Sequence, residues 1–379
     1  MLNDSSVVIT EVRSRKDLKK FIRFQNEIYA SYSNYIPPLF LERLDFLNPK
    51  KNPFYHHAEV QLFLATRGQK VVGRISAQIN SLYEKQYQEK IGHFGFFESI
   101  DDAQVAHALF EASKSFLKSK GCTQIQGPFH FSINQESGLL VEGFDQPMMV
   151  GMPFHPPYYA RLIEGEKFQK EKDLYAWKYI VGEIPPMVSE ITAELSKHPG
   201  LNVRSVNPQY LKRDLQIIID IFNSAWSENW GFIPFTEAEI DKMAHDVKPF
   251  FEYEASLIVE LDGKPIAMCV ALPNFYEYIT DLKGKLFPFG WLKLLRRMKR
   301  KQYQSARLLL LGVKKDFRKT SLGGLSFLLY SKIQEVALKH KIQWGELSWT
   351  LEDNKAVNMG IEFMGAKRYK TYRIYAMKL

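Results

Sequence analysis

The stretch best equipped for chemistry is GVKKDFRKTSLGGLSFLL, residues 312–329. A strand-like run, ARLLLLGV, enters it, and a helix-like run, LSFLLYSKIQEVAL, leaves it. Arg318, Ser321, Gly323 and Gly324 occupy the turn between the two. A helix N-terminus offers unpaired N–H groups and a positive dipole end, and small residues let a pyrophosphate come close. Arg318 stands at the turn's start, where a guanidinium can contact phosphate, and Lys314, Lys315 and Lys319 add positive field. The plainer alternative is a strand–helix turn whose glycine pair serves packing.

Two carboxylates downstream, Glu346 and Glu352, are candidate general bases by location alone. Carboxylates bind protons poorly at neutral pH unless burial raises their pKa. Upstream, FNSAWSENWGFIPFTEAE gathers Trp226, Asn229 and Trp230 into an aromatic segment suited to an apolar acceptor or an acyl chain, or to plain core packing. In the first half, NQESGLLVEGFDQPMMVGMPFHPPYY is rich in Gly, Pro and aromatic residues. Such loops line pockets, which makes Asn134, Glu136, Asp145 and Tyr158 candidate substrate contacts, with a rigid packing loop as the alternative. The histidines, including His56 and His57, lack ligand spacing, so no metal is expected.

RKTSLGG resembles the R/Q-x-x-G-x-G/A turn of the GNAT acyltransferases, with Arg318 at the first position, Gly323 at the last and Ser321 replacing the middle glycine. EDNKAVNMGIEFMGAKRY resembles their N-x-x-A-x-x-L-Y-x-x-x-G-F segment, with Asn354 and Gly365 in place, Val357 for Ala, and Ile361 where many members keep a tyrosine. The resemblance implies acetyl-CoA or another acyl-CoA held at the turn. Backbone groups around Leu311 and Val313 would hold its pantetheine and thioester carbonyl. GPF, NQESGLLVEGFD, PFHPPYY and LFPFG further resemble a set of bacterial tandem-GNAT proteins along nearly the whole chain.

These residues need a frame, and the apolar periodicity supplies one. The order strand-helix-strand-strand-strand-helix-strand-helix-strand occurs twice. The expected fold is α+β: two GNAT-like domains, each a mixed, mainly antiparallel sheet flanked by helices. The expected boundaries are a first domain at 1–181, a linker at 182–200 and a second domain at 201–379. In the first half, IGHFGFFESI runs into Asp101 and Asp102 with no Gly-rich turn. Two carboxylates repel a pyrophosphate and suit a helix start instead, so the acyl-CoA site is expected in the second half.

At 379 residues, with 45% hydrophobic and 25% charged, the composition is that of an ordinary globular protein. The two cysteines, Cys122 and Cys269, give no disulfide framework and fit a reducing cytoplasm. MLNDSSVVITEV lacks the basic start and apolar core of a signal peptide. No apolar run approaches the roughly 20 residues of a membrane-spanning helix. A formal charge of +9 suggests anionic ligands. Part of it lies in WLKLLRRMKRK at 291–301, six of whose eleven residues are Lys or Arg, and which reads as a solvated face or an anionic-membrane contact. The leading functional expectation is acyl transfer from acyl-CoA to an amine by direct attack in a ternary complex. The alternatives are an aminoacyl-tRNA-dependent transferase and a non-catalytic acyl-CoA sensor or scaffold.

Overall fold

The computed structural model describes residues 6–379, so the first five residues of the MLNDSSVVITEV stretch lie outside it. The chain divides into two units. The first runs to Leu174 and adds Thr280–Pro288 and Lys370–Leu379; the second holds Tyr175–Ile279 and Phe289–Tyr369.

The first unit opens with β1 (Val7–Glu11), α1 (Arg15–Ile28) and α2 (Phe40–Phe46). Then come β2 (Ala58–Arg67), β3 (Lys70–Asn80), α3 (Ser81–Tyr87), β4 (Ile91–Ser99) and α4 (Ala103–Ser119). It closes with β5 (Gln124–Gly127), β6 (Leu139–Glu142), α5 (Tyr158–Gly165) and the start of β7 (Gln169–Ile180). Ser14 caps α1 by accepting from the Asp17 amide. All nine residues of β4 are buried, as a strand covered on both faces requires. Phe21, Phe54, Leu64, Phe96 and Phe131 form the core on the α1 side.

The second unit takes the rest of β7, then α6 (Pro186–Leu195), β8 (Leu201–Ser205), α7 (Leu211–Trp226) and α8 (Glu237–Val247). Next are β9 (Ser256–Leu261), β10 (Lys264–Pro273), α9 (Phe275–Ile279) and α10 (Gly290–Lys299). β11 (Ser305–Val313), α11 (Leu325–Lys339), β12 (Trp344–Leu351), α12 (Lys355–Phe363) and β13 (Lys367–Lys378) complete the chain. In α7, Leu211, Leu215, Ile218, Ile219 and Phe222 are buried along one face, the spacing of an amphipathic helix. Residues 182–200, read from sequence as a linker, contain α6 and lie inside the second unit. Its Ile191 and Leu195 approach Gly324 so closely that a Cβ there would sit 2.5 Å from Ile191. The last ten residues belong to the first unit, where β13 pairs antiparallel with β5 and β6.

The two units share one internal plan. The first unit orders its strands β1-β2-β3-β4-β5-β13, and the second β12-β11-β10-β9-β8. In each, neighbours are antiparallel except at one parallel pair, β4 with β5 and β11 with β12. That pairing ends early, after His93 and Gln126 in the first unit and after Leu308 and Leu347 in the second. Beyond it β4 and β11 continue, each carrying a bulge: Phe96 and Phe97 oppose the single Ile75, and Leu309 is the extra residue of β11. Beyond these points the paired strands splay into a notch, which in the first unit is filled by the chain after β5.

Gly95 shows how tightly the first notch is built. A Cβ there would lie 1.8 Å from the Phe129 carbonyl oxygen, a backbone atom that cannot move aside. The Phe129 amide meanwhile donates to the Phe94 carbonyl at 2.8 Å. Gly95→Ala is therefore expected to cost at least about 1–3 kcal/mol, read as a lowered denaturation midpoint. An unchanged midpoint would mean that the chain after β5 does not lie against β4.

Candidate active site

The turn 318–324 leads from β11 into α11, whose N-cap, Gly324, has no side chain to satisfy the helix amides. Among the described residues, the Ser321 and Gly324 amides have no acceptor within the chain. Ser321 and Gly323 are exposed, and neither has positive φ, so serine fits the backbone that the middle position needs. Arg318 behaves differently from the expectation of a phosphate contact. Its guanidinium donates to the Val313 carbonyl at 2.9 Å and the Ala225 carbonyl at 2.6 Å, tying the turn to the ends of β11 and α7. Lys314 pairs with Asp220 at 2.6 Å and Lys315 with Glu228 at 2.7 Å. Leu311 and Val313 lie on β11 opposite Cys269 and Ala267.

The other second-unit candidates disperse. Glu346 is fully buried on β12, where it takes hydrogen bonds from Ser348 and Tyr369, with Arg307 3.9 Å away. A carboxylate so engaged holds β11 and β12 together. Glu352 instead lines an open cleft of about 660 Å³ with Tyr175, Trp177, Asn358 and Arg368. Asn354 caps α12 by accepting from the Val357 amide, and Ile361 is buried in an apolar cluster with Trp177 and Leu347. Trp226 stacks on Phe222 and covers Gly312 of β11, where a Cβ would meet its ring at 2.4 Å. Asn229 turns the chain, its amide donating to the Trp226 carbonyl at 2.8 Å, and Trp230 follows half-buried.

The first unit holds what the sequence reading missed. Its bulge carries Glu98 into the notch, opposite Arg74 on β3. Both are buried, at 0% and 2% exposure. Tyr29 and Tyr159 donate to one Glu98 oxygen, the latter at 2.7 Å, and Arg74 reaches the other at 3.3 Å. Arg74 also donates to the Phe21 carbonyl at 2.7 Å and lies over the Phe21 ring. Burial pushes the Glu98 carboxyl above its usual range, against the pull of Arg74 and the two hydroxyls. Burial and the Glu98 charge together keep both tyrosines protonated, hence donors.

Beside it stands a histidine–carboxylate pair. His130 Nδ1 lies 2.6 Å from Glu136, and the ring stacks on Phe96 at 4.3 Å. Arg43, on α2, grips the same carboxylate at 2.5 Å. Burial would raise the Glu136 pKa, but the charges and hydrogen bonds of Arg43 and His130 hold it well below the usual range. Glu136 is thus an anion whose hydrogen bond engages Nδ1 of His130, so Nε2 is the ring nitrogen left to exchange a proton. His155 completes the group as a neutral ring: the Leu140 amide donates to its Nδ1 at 3.1 Å, and burial beside His130 holds its pKa well down.

Of the expected loop residues, Glu136 belongs to this group, and Tyr158 borders it by donating to the Ser99 carbonyl at 2.7 Å. Asn134 is half-buried, its amide donating to Ser132 Oγ at 3.2 Å, and Asp145 is exposed on the far loop. Helix α4 is capped by Asp102, which accepts from the Gln104 amide at 2.8 Å and pairs with Arg67. That carboxylate fills the place a pyrophosphate would need. One further group among the described residues, His107, Glu111 and Glu166, is close enough to hold a cation, but Lys114 lies against both carboxylates, 2.5 Å from Glu111. The first unit also carries a cleft of about 920 Å³ floored by Leu18, Leu44 and Leu62 and rimmed by Arg13, Arg15 and Lys50. No helix among the described residues is long and apolar enough to cross a membrane.

Comparison with known proteins adds relatives along the whole length. The chain is 41% identical to the bacterial ceramide synthase of Caulobacter vibrioides over 379 residues, 99% of this chain and 98% of that one. It is also 41% identical to protein YghO of Escherichia coli K12 over 369 residues, 97% of this chain and 94% of that one. Among solved structures, a tandem GNAT protein of the clavulanic acid biosynthesis pathway superposes with a TM-score of 0.59 at 10% identity, covering 98% of both chains. A GCN5-related N-acetyltransferase of Sphaerobacter thermophilus gives 0.54 at 11% identity, over 98% of this chain and 95% of that one. No family profile matches. The structural likenesses carry the fold alone.

Proposed function

The chain belongs to the family of the Caulobacter ceramide synthase and YghO, with the tandem GNAT fold, and from that membership we propose that it is an acyltransferase forming an amide. The donor is an acyl-CoA thioester. The acceptor is an amine with a long apolar tail, the class to which the name of the Caulobacter relative points. The amine nitrogen attacks the thioester carbonyl, the C–N bond forms, and the C–S bond breaks to release CoA. The amine must first lose a proton. The observation that carries this reading is the open start of α11, where the Ser321 and Gly324 amides have no acceptor among the described residues. For the proton acceptor of the reaction we assign His130, whose Nδ1 is engaged by Glu136, acting through its other ring nitrogen, Nε2.

The donor assignment rests on the second unit. The unsatisfied amides of Ser321 and Gly324 suit a pyrophosphate, and the splay of β11 from β12 suits an extended pantetheine. The first unit's cleft, where Leu18, Leu44 and Leu62 lie with Arg15 and Lys50 among polar neighbours that include Asp45, suits a long-chain amphiphile. Glu352, Trp226, Asn229 and Trp230 are left without a step.

Calorimetric titration with acetyl-CoA and longer acyl-CoAs tests the donor. Saturable micromolar binding at about one site per chain is expected. Ser321→Asp places a negative charge on the anion position of an exposed turn and should weaken binding about tenfold or more. Equal affinity in the variant would move the phosphates elsewhere, and no binding to any acyl-CoA would end the thioester reading.

A further inference from the structure

The insertion between β10 and β11 holds a helix whose outer face is exposed among the described residues. On and just before α10, Phe289, Trp291, Leu292 and Leu295 are 69%, 41%, 48% and 56% exposed. Trp291, Leu292 and Leu295 share one helical side. The opposite side is held: Leu294 and Met298 are half-buried, and Arg297 donates to the Tyr278 carbonyl at 2.8 Å. Tyr278 in turn packs on Tyr303 and Phe275. The helix is therefore fixed in place with its apolar side outward. Beside that side stand Arg296, Lys299 and Arg300, which are exposed and have no ion pair among the described residues. No Asp or Glu occurs anywhere from Leu282 to Lys315.

We propose that α10 is an interfacial helix that docks the protein on an anionic lipid bilayer. A large indole and two leucines kept in water are unfavourable, whereas at the headgroup boundary they insert while the neighbouring cations meet lipid phosphates. Charge complementarity decides against a second copy of the chain, because two such faces would bring together cations with no carboxylate between them. Nucleic acid is a poorer match, since the apolar strip would interrupt its phosphate contacts. The helix is about 15 Å long, half the roughly 30 Å hydrocarbon thickness, so it lies in the surface and does not span it. This inference stands independently of the acyl-transfer reading.

Co-sedimentation of the full chain with vesicles tests it. Binding is expected to vesicles with about one third phosphatidylglycerol, with at least about tenfold weaker binding to pure phosphatidylcholine or in high salt. The double variant Trp291→Glu with Leu295→Glu should lose binding about tenfold or more, as should Arg296→Glu with Lys299→Glu and Arg300→Glu. Because these side chains are exposed, both variants should melt with the wild type. Failure of the wild type to bind phosphatidylglycerol vesicles overturns the proposal, as does equal binding by either variant. A change from dimer to monomer in the Trp291→Glu, Leu295→Glu protein with vesicle binding intact would reassign the face to self-association.

Discussion

His130→Gln should lower the turnover of acyl transfer by about 10²–10⁴-fold, the range for loss of a positioned general base. Glutamine keeps an N–H to offer Glu136 and approximates the ring's volume, so the variant leaves no buried carboxylate without a donor. Acyl-CoA affinity should stay within about twofold, because His130 is not among the residues of the donor turn at 318–324. The separation of turnover from donor binding is the informative part. A purely structural histidine would show its loss in the melting temperature and leave the rate constant of the folded fraction unchanged. Glu136→Gln provides the companion measurement. Without its anion the imidazole loses both its orientation and the charge that favours proton uptake, so turnover should fall with the ring still present. Wild-type turnover in the folded His130→Gln protein would remove this histidine from the reaction.

The second large effect is on stability. Arg74→Met takes the cation from a pair in which both members are buried. Removing one partner of such a pair costs about 3–5 kcal/mol, because the remaining charge is left in apolar surroundings. At about 2–4 °C per kcal/mol for a unit of this size, the melting temperature should drop by about 10 °C. Glu98 can escape part of the penalty by protonating, and this fixes the sign of the pH dependence. A carboxyl whose folded pKa is raised binds its proton more tightly folded than unfolded, so stability falls as pH rises from the unfolded value through the folded one. Without Arg74 the folded value climbs further and the window widens upward. The variant should therefore lose more stability at pH 8 than at pH 5, and calorimetry across that range reads it directly. A pH-independent loss would mean that Glu98 stays charged whether or not Arg74 is present.

The repeated plan was legible because it rests on periodicity. Alternating strands, amphipathic helices such as α7 and the Asp102 helix start all leave local marks in sequence. The turn at Arg318 was legible as a turn, but not the use of its guanidinium, which depends on carbonyls at Val313 and Ala225. Gly324 could be read as phosphate access or as packing; its approach to Ile191 on α6 makes the packing use concrete. The Glu98 group escaped notice since its members are spread from Tyr29 to Tyr159, and only the tertiary fold gathers them. One signal was present all the same. Apart from Lys70 at the exposed start of its strand, Arg74 and Glu98 are the only charges, of opposite sign, inside KVVGRISAQIN and IGHFGFFESI, consecutive strands. A charge in a strand too apolar to face water implies a buried partner. The domain limits were obscured by β7 and β13, each a continuous strand in sequence whose two ends belong to different units.

That division of β13 sets the order in which the protein can be born. Tyr375–Lys378 supply the neighbour of β5 and Thr371–Arg373 that of β6, yet they are made only after the whole of the second unit. The half of the chain made first must wait, with the edge of β5 open, through synthesis of everything that follows. An open strand edge pairs readily with other chains. Nascent first units are thus the species in most need of a chaperone's protection, and a chain cut before Lys370 would keep that edge bare for good.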